Sequence, residues 1–385
     1  MDTFKGFLRP DGSAGVRNHV AVIPTVSCAN GVAANIARAV SGAVPLLHAH
    51  GCGRALEISM HERTLAGLGA NPNVAAALVV GLGCETVQAA NVAAGIAGTG
   101  KPCAHLIIQE RGGSRRTTAE GIGIVQAFAR EAKGQARVDC PLDLVTLGLE
   151  CGGSDAFSGV TANPAVGLVS DWLVGAGGSV ILTESTEMIG TAHILSRRAK
   201  TPEVARQVED LVARAHKRTR DILGELAAYV IAPGNMDGGL SSIREKSLGC
   251  IEKGGRSPVS EVVDYGRAPK EKGLSVMDAP GYDTESMASL AAAGCQLIIF
   301  TTGRGTPVGF PILPVIKVAS TSRLYRLMED DMDVNAGVVL QGGSLDDVAQ
   351  TLIELSLRVM SGEKTRAEEN GQDGIVCLAA VTPAF

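Results

Sequence analysis

The sequence predicts an α/β fold with two Rossmann-like parallel-sheet units and helices on both faces of each sheet. Three observations lead to this prediction. Apolar segments recur along the 385 residues, they are nearly continuous instead of alternating with polar residues, and segments with helical periodicity lie between them. Continuous apolar runs are typical of parallel strands that are covered on both faces, and the intervening helices supply right-handed crossovers.

Nine segments have the strand pattern. In chain order they are residues 19–26, 43–47, 75–82, 103–108, 142–149, 179–183, 274–277, 296–301 and 313–318. The clearest helical segments are residues 30–40, 57–68, 165–174 and 202–226. Asn163-Pro164 marks the start of the third of these helices, because proline is favoured in the first helical turn.

A polar stretch between Arg130 and Asp143 separates the strands into two groups. We therefore expect a domain boundary there, with one α/β unit over residues 1–137 and a second α/β domain over residues 138–385. The glycine-rich segment between Pro233 and Pro258 lacks a clear strand or helix pattern. It is predicted to be a long functional loop.

Composition limits the classes of function. The chain has 35 lysine and arginine residues against 40 aspartate and glutamate residues, and only 3% aromatic residues, so we expect no nucleic-acid partner. No apolar run reaches the roughly 18 residues that span a bilayer, and the N-terminus lacks a signal-peptide pattern, so we expect a cytoplasmic protein without a membrane partner. The nine cysteines are scattered and never spaced as Cys-x-x-Cys, which predicts reduced thiols.

The segment after the strand at residues 142–149 is the densest in reactive side chains. It brings the Cys151 thiol, the Asp155 carboxylate, three hydroxyl groups and several glycines together directly behind an apolar run. Glycines let backbone N–H groups approach a ligand closely. This composition predicts a binding or catalytic site.

Other predicted strands also end in polar or reactive residues. Ligands of open parallel sheets bind outside the carboxyl ends of the strands, so we expect these residues to converge on one crevice. They include Thr25, Cys28, His48, Cys52, Cys84, Glu85, Gln109, Cys151, Asp155, Glu184, Glu187, Asp278, Thr302, Arg304 and Lys317.

Each of these residues has a purely structural alternative. A thiol such as Cys151 can be a small buried core residue, and a carboxylate such as Glu184 can cap a helix. His48-Ala49-His50 is a weak metal-binding pattern by itself. The turn at residues 303–307 indicates a carboxylate or phosphate site, because its arginine can bind such groups with two hydrogen bonds. No dinucleotide-binding or P-loop glycine motif occurs.

Eight blocks of the sequence together resemble the altronate/galactarate dehydratase family. They are residues 12–18, 81–85, 151–164, 184–193, 234–235, 245–249, 278–283 and 300–309. The similarity extends from Gly6 to Glu369, with residues 1–137 similar to the family's second domain and residues 138–385 to its C-terminal domain. The resemblance implies a carbon–oxygen lyase that removes water from a small-molecule sugar acid, an aldonate or aldarate, to give a 2-keto-3-deoxy acid with the help of Fe²⁺ or Mn²⁺.

The implied chemistry needs a base beside the substrate carboxylate, a cation that holds the developing enediolate, and an acid for the departing hydroxyl. Residues within or near the matching blocks supply candidates for each task. We expect the metal ligands to be His48, Cys151 and Glu187; the catalytic acids and bases to be His193, Asp155, Glu184 and Glu85; and the substrate-binding residues to be Arg17, Asn18, Asn235, Thr302, Arg304 and Lys317.

Two departures from the family pattern bear on partners and substrate. Full-length members carry a small SAF-type domain before the block that begins here at Gly6, so we expect a separate small SAF-domain subunit, and a homo-oligomer of the large one. Sulfolactate sulfo-lyases are divided in this way, which makes elimination of sulfite the alternative reaction. Met236-Asp237 stands where sugar-acid dehydratases usually have Lys-Ala.

Two other interpretations remain open on the residues alone. The chain can be a non-catalytic subunit that binds a polyhydroxy acid, although such a role requires no thiol cluster and no pair of glutamates. Cys28, Cys52, Cys84 and Cys151 can also hold an iron–sulfur cluster, but the absence of closely spaced cysteine pairs disfavours it.

Overall fold

The structure, a computed structural model, describes residues 3–52, 55–229 and 231–380. Its strands are β1 (Thr3–Leu8), β2 (Ala14–Gly15), β3 (His19–Pro24), β4 (Ala43–Pro45), β5 (Val74–Gly81), β6 (Cys103–Ile107), β7 (Val138–Pro141), β8 (Thr146–Cys151), β9 (Ser179–Leu182), β10 (Val259–Asp264), β11 (Gly273–Asp278), β12 (Leu297–Thr302), β13 (Val315–Ala319) and β14 (Val334–Asn335).

Thirteen α-helices connect or cover these strands in the described part of the chain. They are α1 (Asn30–Arg38), α2 (Ile58–Ala70), α3 (Ala89–Ala97), α4 (Ser114–Gly134), α5 (Ala162–Gly175), α6 (Ala192–Ser196), α7 (Pro202–Leu223), α8 (Pro233–Asp237), α9 (Ile243–Cys250), α10 (Asp283–Ala292), α11 (Ser322–Leu327), α12 (Leu345–Met360) and α13 (Arg366–Glu369). Short 3₁₀-helices cover, among other segments, Leu142–Leu144, Ser185–Met188 and Ile251–Gly254.

The predicted α/β class with two parallel-sheet units is confirmed. One sheet has four parallel strands in the order β4-β3-β5-β6, and the other has seven in the order β10-β11-β9-β8-β12-β13-β14. In the four-stranded sheet, β4 lies on one side of β3, and the later strands β5 and β6 lie on the other. In the seven-stranded sheet, β9 to β11 lie on one side of β8, and the later strands β12 to β14 lie on the other. Ligands of open α/β sheets bind at such reversals, outside the carboxyl ends of the strands.

The two sheets share a hydrophobic core. Ile23 and Val79 from the four-stranded sheet pack in one cluster with Ile298 and Phe300 from the seven-stranded sheet, and all four side chains are fully buried. α2 packs against α10 between the sheets. A small antiparallel sheet in the order β2-β1-β7 adds a further connection, because β1 precedes the first unit and β7 leads into the second.

Several local expectations differ from the structure. The predicted strand at residues 142–149 begins later, because Leu142–Leu144 forms a 3₁₀-helix, and β8 consequently ends on Cys151. β10 does not appear among the predicted strands, since it is an edge strand whose polar residues remain partly exposed. The polar stretch after Arg130 is not wholly a loop, because α4 continues to Gly134.

The segment between Pro233 and Pro258 was predicted as a loop and is largely helical. Pro233 starts α8 in the position where proline is tolerated, and the Ser242 hydroxyl accepts a hydrogen bond from the Glu245 backbone N–H at the start of α9. Short polar helices with interspersed glycines have weak apolar periodicity, which explains the difference. Within the described residues, none of the helices combines the length and apolarity needed to cross a bilayer.

Candidate active site

The carboxyl ends of β8 and β9 carry a buried cluster of thiols and charged groups. Cys151 is the last residue of β8, and Glu187 lies in the 3₁₀-helix that follows β9. α9 contributes Cys250 at its last position. We call Cys151, Glu187 and Cys250 the Cys–Glu–Cys site.

The two thiols of this site converge on one carboxylate oxygen. The Cys151 and Cys250 thiols donate hydrogen bonds to Glu187 Oε2 over 2.9 and 2.8 Å, and their sulfur atoms are 3.4 Å apart. The three side chains are at most 4% exposed, and their ligand atoms lie within 4.8 Å of one another. The second Glu187 oxygen pairs with the Lys246 ammonium group.

Glu184 is held beneath the site in an unusual backbone conformation. Its Oε2 atom accepts hydrogen bonds from the Cys151 backbone N–H over 3.0 Å and from Lys253 Nζ over 2.8 Å. Its φ angle is +68°, in the left-handed region, and it is the only non-glycine residue with positive φ in the part of the chain that the structure describes. Such a conformation costs about 1–3 kcal/mol and concentrates at functional sites. It directs the Glu184 carboxylate inward.

Burial and charge together set the protonation of the cluster. Burial beside Glu187 raises the pKa of Glu184, and burial beside Glu184 raises the pKa of Glu150. Burial would also raise the pKa of Glu187, but Lys246, Lys253 and the two thiol hydrogen bonds outweigh it and lower that pKa. The neighbouring Lys246 and Lys253 therefore favour the ionised form of Glu187.

The Cys–Glu–Cys site has a donor set that suits a divalent metal. Two sulfur ligands and one carboxylate oxygen favour a borderline or soft ion such as Fe²⁺ or Zn²⁺ over Mn²⁺, which prefers oxygen and nitrogen ligands. Both thiols donate to the same carboxylate oxygen, so the three ligand atoms are close enough to bind one cation once the thiol protons are lost. The residues present therefore fit the expected metal class.

Two clefts open next to the site. The Asp155 cleft, of about 470 Å³, is lined by Ser154, Asp155, Lys246 and Cys250 among other residues. The Glu187 cleft, of about 330 Å³, is lined by Glu187, Asn235 and Lys246 among others. Lys246 lines both clefts. Of the Cys–Glu–Cys site, Cys250 lines the Asp155 cleft and Glu187 lines the Glu187 cleft.

Glycines allow the loops around the clefts to pack closely. A Cβ atom on Gly152 would lie 2.4 Å from an Asp283 carboxylate oxygen, and one on Gly303 would lie 2.2 Å from the Asp155 carboxyl carbon. Burial beside the glutamates of the cluster raises the pKa of Asp283 to about 6. The glycine-rich turns predicted to bind ligand thus also bring two acids close to the backbone.

Four of the predicted site residues lie around the Asp155 cleft or its supporting loops. Asp155 is buried and accepts hydrogen bonds from Ser158 and Ser320. The Asn235 side chain donates to the Ser154 backbone carbonyl. At the end of β12, the Thr302 hydroxyl accepts a hydrogen bond from the Gly305 backbone N–H. Arg304 is exposed and packs against Gly153, and the Arg304 backbone N–H donates to the Gly153 carbonyl.

Two predicted residues lie in the segments that follow β4 and β5 of the four-stranded sheet. Both ring nitrogens of His48 contact backbone, Nε2 at the Pro24 carbonyl and Nδ1 at the His50 N–H. Glu85 accepts hydrogen bonds from the Thr25 hydroxyl and from two backbone N–H groups at the end of β5. Among the described residues, the group with ligand atoms close enough to share a metal contains Cys250 in place of His48.

The other predicted residues are placed differently. The Asn18 side chain accepts a hydrogen bond from Arg9 and donates one to the Ala132 carbonyl. Neither partner belongs to the Cys–Glu–Cys site. Lys317 is fully buried and donates to the Pro307 carbonyl, so it supports the loop that carries Arg304. His193 is exposed on α6. Its predicted acid–base role stays a prediction.

Arg17 connects the N-terminal segment to the C-terminal helices. Its guanidinium binds the Glu368 carboxylate and donates to the Val359 and Glu363 carbonyls, with distances of 2.7–2.8 Å. Only 10% of its side chain is exposed. This geometry satisfies the guanidinium without a ligand.

Replacing Arg17 by glutamine is expected to lower the free energy of unfolding by about 1.5–3 kcal/mol, the usual contribution of hydrogen bonds to a charged group. Metal binding at the Cys–Glu–Cys site should be unchanged. Urea unfolding and metal titration of the variant measure the two quantities. Unchanged stability with weakened binding of a sugar acid would instead support the predicted substrate-binding role.

Sequence reasoning missed Cys250, Lys246 and Lys253 as site residues. They are separated by four and three positions, a spacing that places side chains on one face of a helix. The structure realises this spacing across α9 and the 3₁₀-helix at Ile251–Gly254. The signal was therefore present, but the segment around it was predicted to be a loop.

Comparison with known families matches both halves of the chain. The model described as D-galactarate dehydratase/altronate hydrolase, second domain, matches residues 6–133, and the one described as D-galactarate/altronate dehydratase, C-terminal, matches residues 142–382.

Three curated relatives are similar over most of the chain. An altronate dehydratase of Bacillus subtilis is 37% identical, over 96% of this chain and 76% of its own. A galactarate dehydratase (L-threo-forming) of Escherichia coli is 33% identical, and the match covers 94% of this chain and 73% of that protein. The (2R)-sulfolactate sulfo-lyase subunit beta of Chromohalobacter salexigens is 34% identical, and the match covers 96% of this chain and 95% of that protein.

Proposed function

The chain belongs to the D-galactarate/altronate dehydratase family, and we propose that it is a metal-dependent lyase that dehydrates an aldonate or aldarate to a 2-keto-3-deoxy acid. The observation that carries the proposal is the Cys–Glu–Cys site, with its buried thiols and ionised carboxylate beside two open clefts. Recognition of a polyol alone would require hydrogen-bonding groups but no such site. A non-catalytic binding subunit is therefore disfavoured.

Cys151, Glu187 and Cys250 would hold the metal, and Fe²⁺ would supply Lewis acidity toward the oxygens of the sugar acid. Lys246 lines both clefts, which supports a role for its ammonium group in attracting the substrate carboxylate and the negative charge that develops on the enediolate. Arg304, at the neighbouring loop, is the second candidate for holding a carboxylate.

Asp155 is our candidate for the proton acceptor. It is the buried carboxylate of the Asp155 cleft, whereas Glu245 in the same cleft is exposed. Its hydrogen bonds from Ser158 and Ser320 fix the carboxylate in position. A positioned base contributes about 10²- to 10⁴-fold to such a proton transfer.

A specific observation keeps sulfite elimination as the second candidate reaction. The chain is 34% identical to the (2R)-sulfolactate sulfo-lyase subunit beta, about as similar as it is to the galactarate dehydratase at 33%. The printed name of this relative describes it as one subunit of an enzyme. We therefore propose that it works as a large subunit with a small SAF-domain partner, on either substrate class.

Removing the metal is expected to abolish turnover. Protein purified without oxygen and treated with a chelator should form no 2-keto-3-deoxy acid from altronate or galactarate, and Fe²⁺ should restore activity more fully than Mn²⁺ because of the two thiolate ligands. The assay is run with and without a candidate SAF-domain subunit. Undiminished turnover after complete removal of metal would contradict the proposed metal dependence.

The same assay separates the candidate functions. Sulfite released from sulfolactate, with no product from the sugar acids, would select the sulfo-lyase reaction. Binding of a sugar acid without turnover, with Fe²⁺ bound and the small subunit present, would select the binding subunit.

A further inference from the structure

Cys151 and Cys250 are close enough to react with each other. Their sulfur atoms are 3.4 Å apart, and among the described residues they form the only thiol–thiol hydrogen bond. The two cysteines come from different elements, the end of β8 and the end of α9. A disulfide has a sulfur–sulfur bond of about 2.05 Å, so these sulfurs need to approach by about 1.4 Å to form one.

We propose that Cys151 and Cys250 form a reversible disulfide when the site contains no metal, and that this disulfide prevents metal binding. The inference rests on the proposed metal function, because the same two sulfur atoms serve both states. A thiolate pair bound to a metal is shielded from oxidation, whereas the metal-free sulfur atoms, 3.4 Å apart, need only a short approach to form a disulfide.

The oxidant we consider is hydrogen peroxide. The Cys250 thiol, which lines the Asp155 cleft, is oxidised first to the sulfenic acid while the peroxide is reduced and one water leaves. The Cys151 sulfur then attacks the sulfenic sulfur, the sulfur–sulfur bond forms, the sulfur–oxygen bond breaks, and a second water carries away the oxygen and the thiol proton. The sum is two thiols and one peroxide giving one disulfide and two waters.

Formation of the disulfide removes two of the three metal ligands. Glu187 then loses both thiol donors and keeps only its ion pair with Lys246. A single carboxylate paired with a cation is a poor metal site. Oxidised protein should therefore lack metal until a thiol reductant restores the Cys–Glu–Cys site.

The test is peptide mapping of the whole protein under non-reducing conditions. Metal-free protein exposed to hydrogen peroxide should give a peptide that joins Cys151 to Cys250, with a mass about 2 Da below the sum of the two reduced peptides. Dithiothreitol should reverse it, and prior loading with Zn²⁺, which has no redox chemistry, should prevent it. The Cys140→Ser variant is the matched control. Cys140 is a buried thiol that donates a hydrogen bond to a backbone carbonyl, and a serine hydroxyl can make the same bond. The variant should still form the disulfide between Cys151 and Cys250.

Several results would overturn the inference. They are two free thiols after oxidation, irreversible oxidation of Cys250 without a link, or a link of either cysteine to a different partner. Binding of Co²⁺, read from its thiolate charge-transfer absorption, is measured on the same samples. If the reduced protein forms the disulfide but never binds Co²⁺, the proposed metal site and the claim that the disulfide prevents metal binding are both rejected. Co²⁺ binding by the reduced protein without any disulfide after oxidation would reject only this inference.

Discussion

Replacing Glu187 by glutamine is expected to abolish metal binding and to lower kcat by about 10²- to 10⁴-fold, the range that one positioned catalytic group contributes. Glutamine keeps the shape of the side chain but removes its charge. The carboxylate accepts both thiol hydrogen bonds on one oxygen and the Lys246 ion pair on the other. The substitution therefore removes the anionic ligand and leaves Lys246 without its counter-charge.

Metal content and steady-state kinetics of the purified variant check this expectation. Glu368→Gln is the matched control, because it makes the same chemical change at a carboxylate bound to Arg17, outside the Cys–Glu–Cys site. The control should lose stability but keep its metal and its kcat. Normal metal content and turnover in Glu187→Gln would remove Glu187 from the metal site.

The sequence patterns predicted the parallel strands well because those strands are buried on both faces. β5 is buried at every position, and its apolar run marks it within one residue at each end. β1 and β7 were not predicted, because they form a small antiparallel sheet in which several residues are exposed. The family resemblance is confirmed by the two family models, and with it the carbon–oxygen lyase class.

The site was predictable only in part. Cys151 is the last residue of one buried strand, and Glu184 and Glu187 follow another, so the rule for carboxyl ends of parallel strands identifies them together. The partner of Arg17 is Glu368, at a separation of 351 residues, and no local pattern reveals such a contact. Arg17 was therefore assigned to ligand binding because of its charge and its place in a block that resembles the family.

The ion pair between Lys253 and Glu184 provides the prediction with the largest effect on stability. The two side chains are 1% and 0% exposed, and their charged atoms are 2.8 Å apart. Lys253→Met is expected to lower the free energy of unfolding by about 3–5 kcal/mol, because removing one partner leaves the other charge buried without compensation. Urea unfolding of metal-free protein measures the difference, so that loss of metal does not contribute to it.

The double variant Lys253→Met/Glu184→Gln distinguishes loss of packing from loss of charge balance. Methionine and glutamine leave no unpaired charge at this position, so the double variant should recover a large part of the stability that Lys253→Met loses. We expect its activity to be lower than that of the unchanged protein, because a neutral amide oxygen accepts the Cys151 backbone N–H more weakly than the Glu184 carboxylate does. Equal losses of stability in the single and double variants would show that the lysine stabilises the fold by packing, and that the Glu184 carboxylate is not ionised in the folded protein.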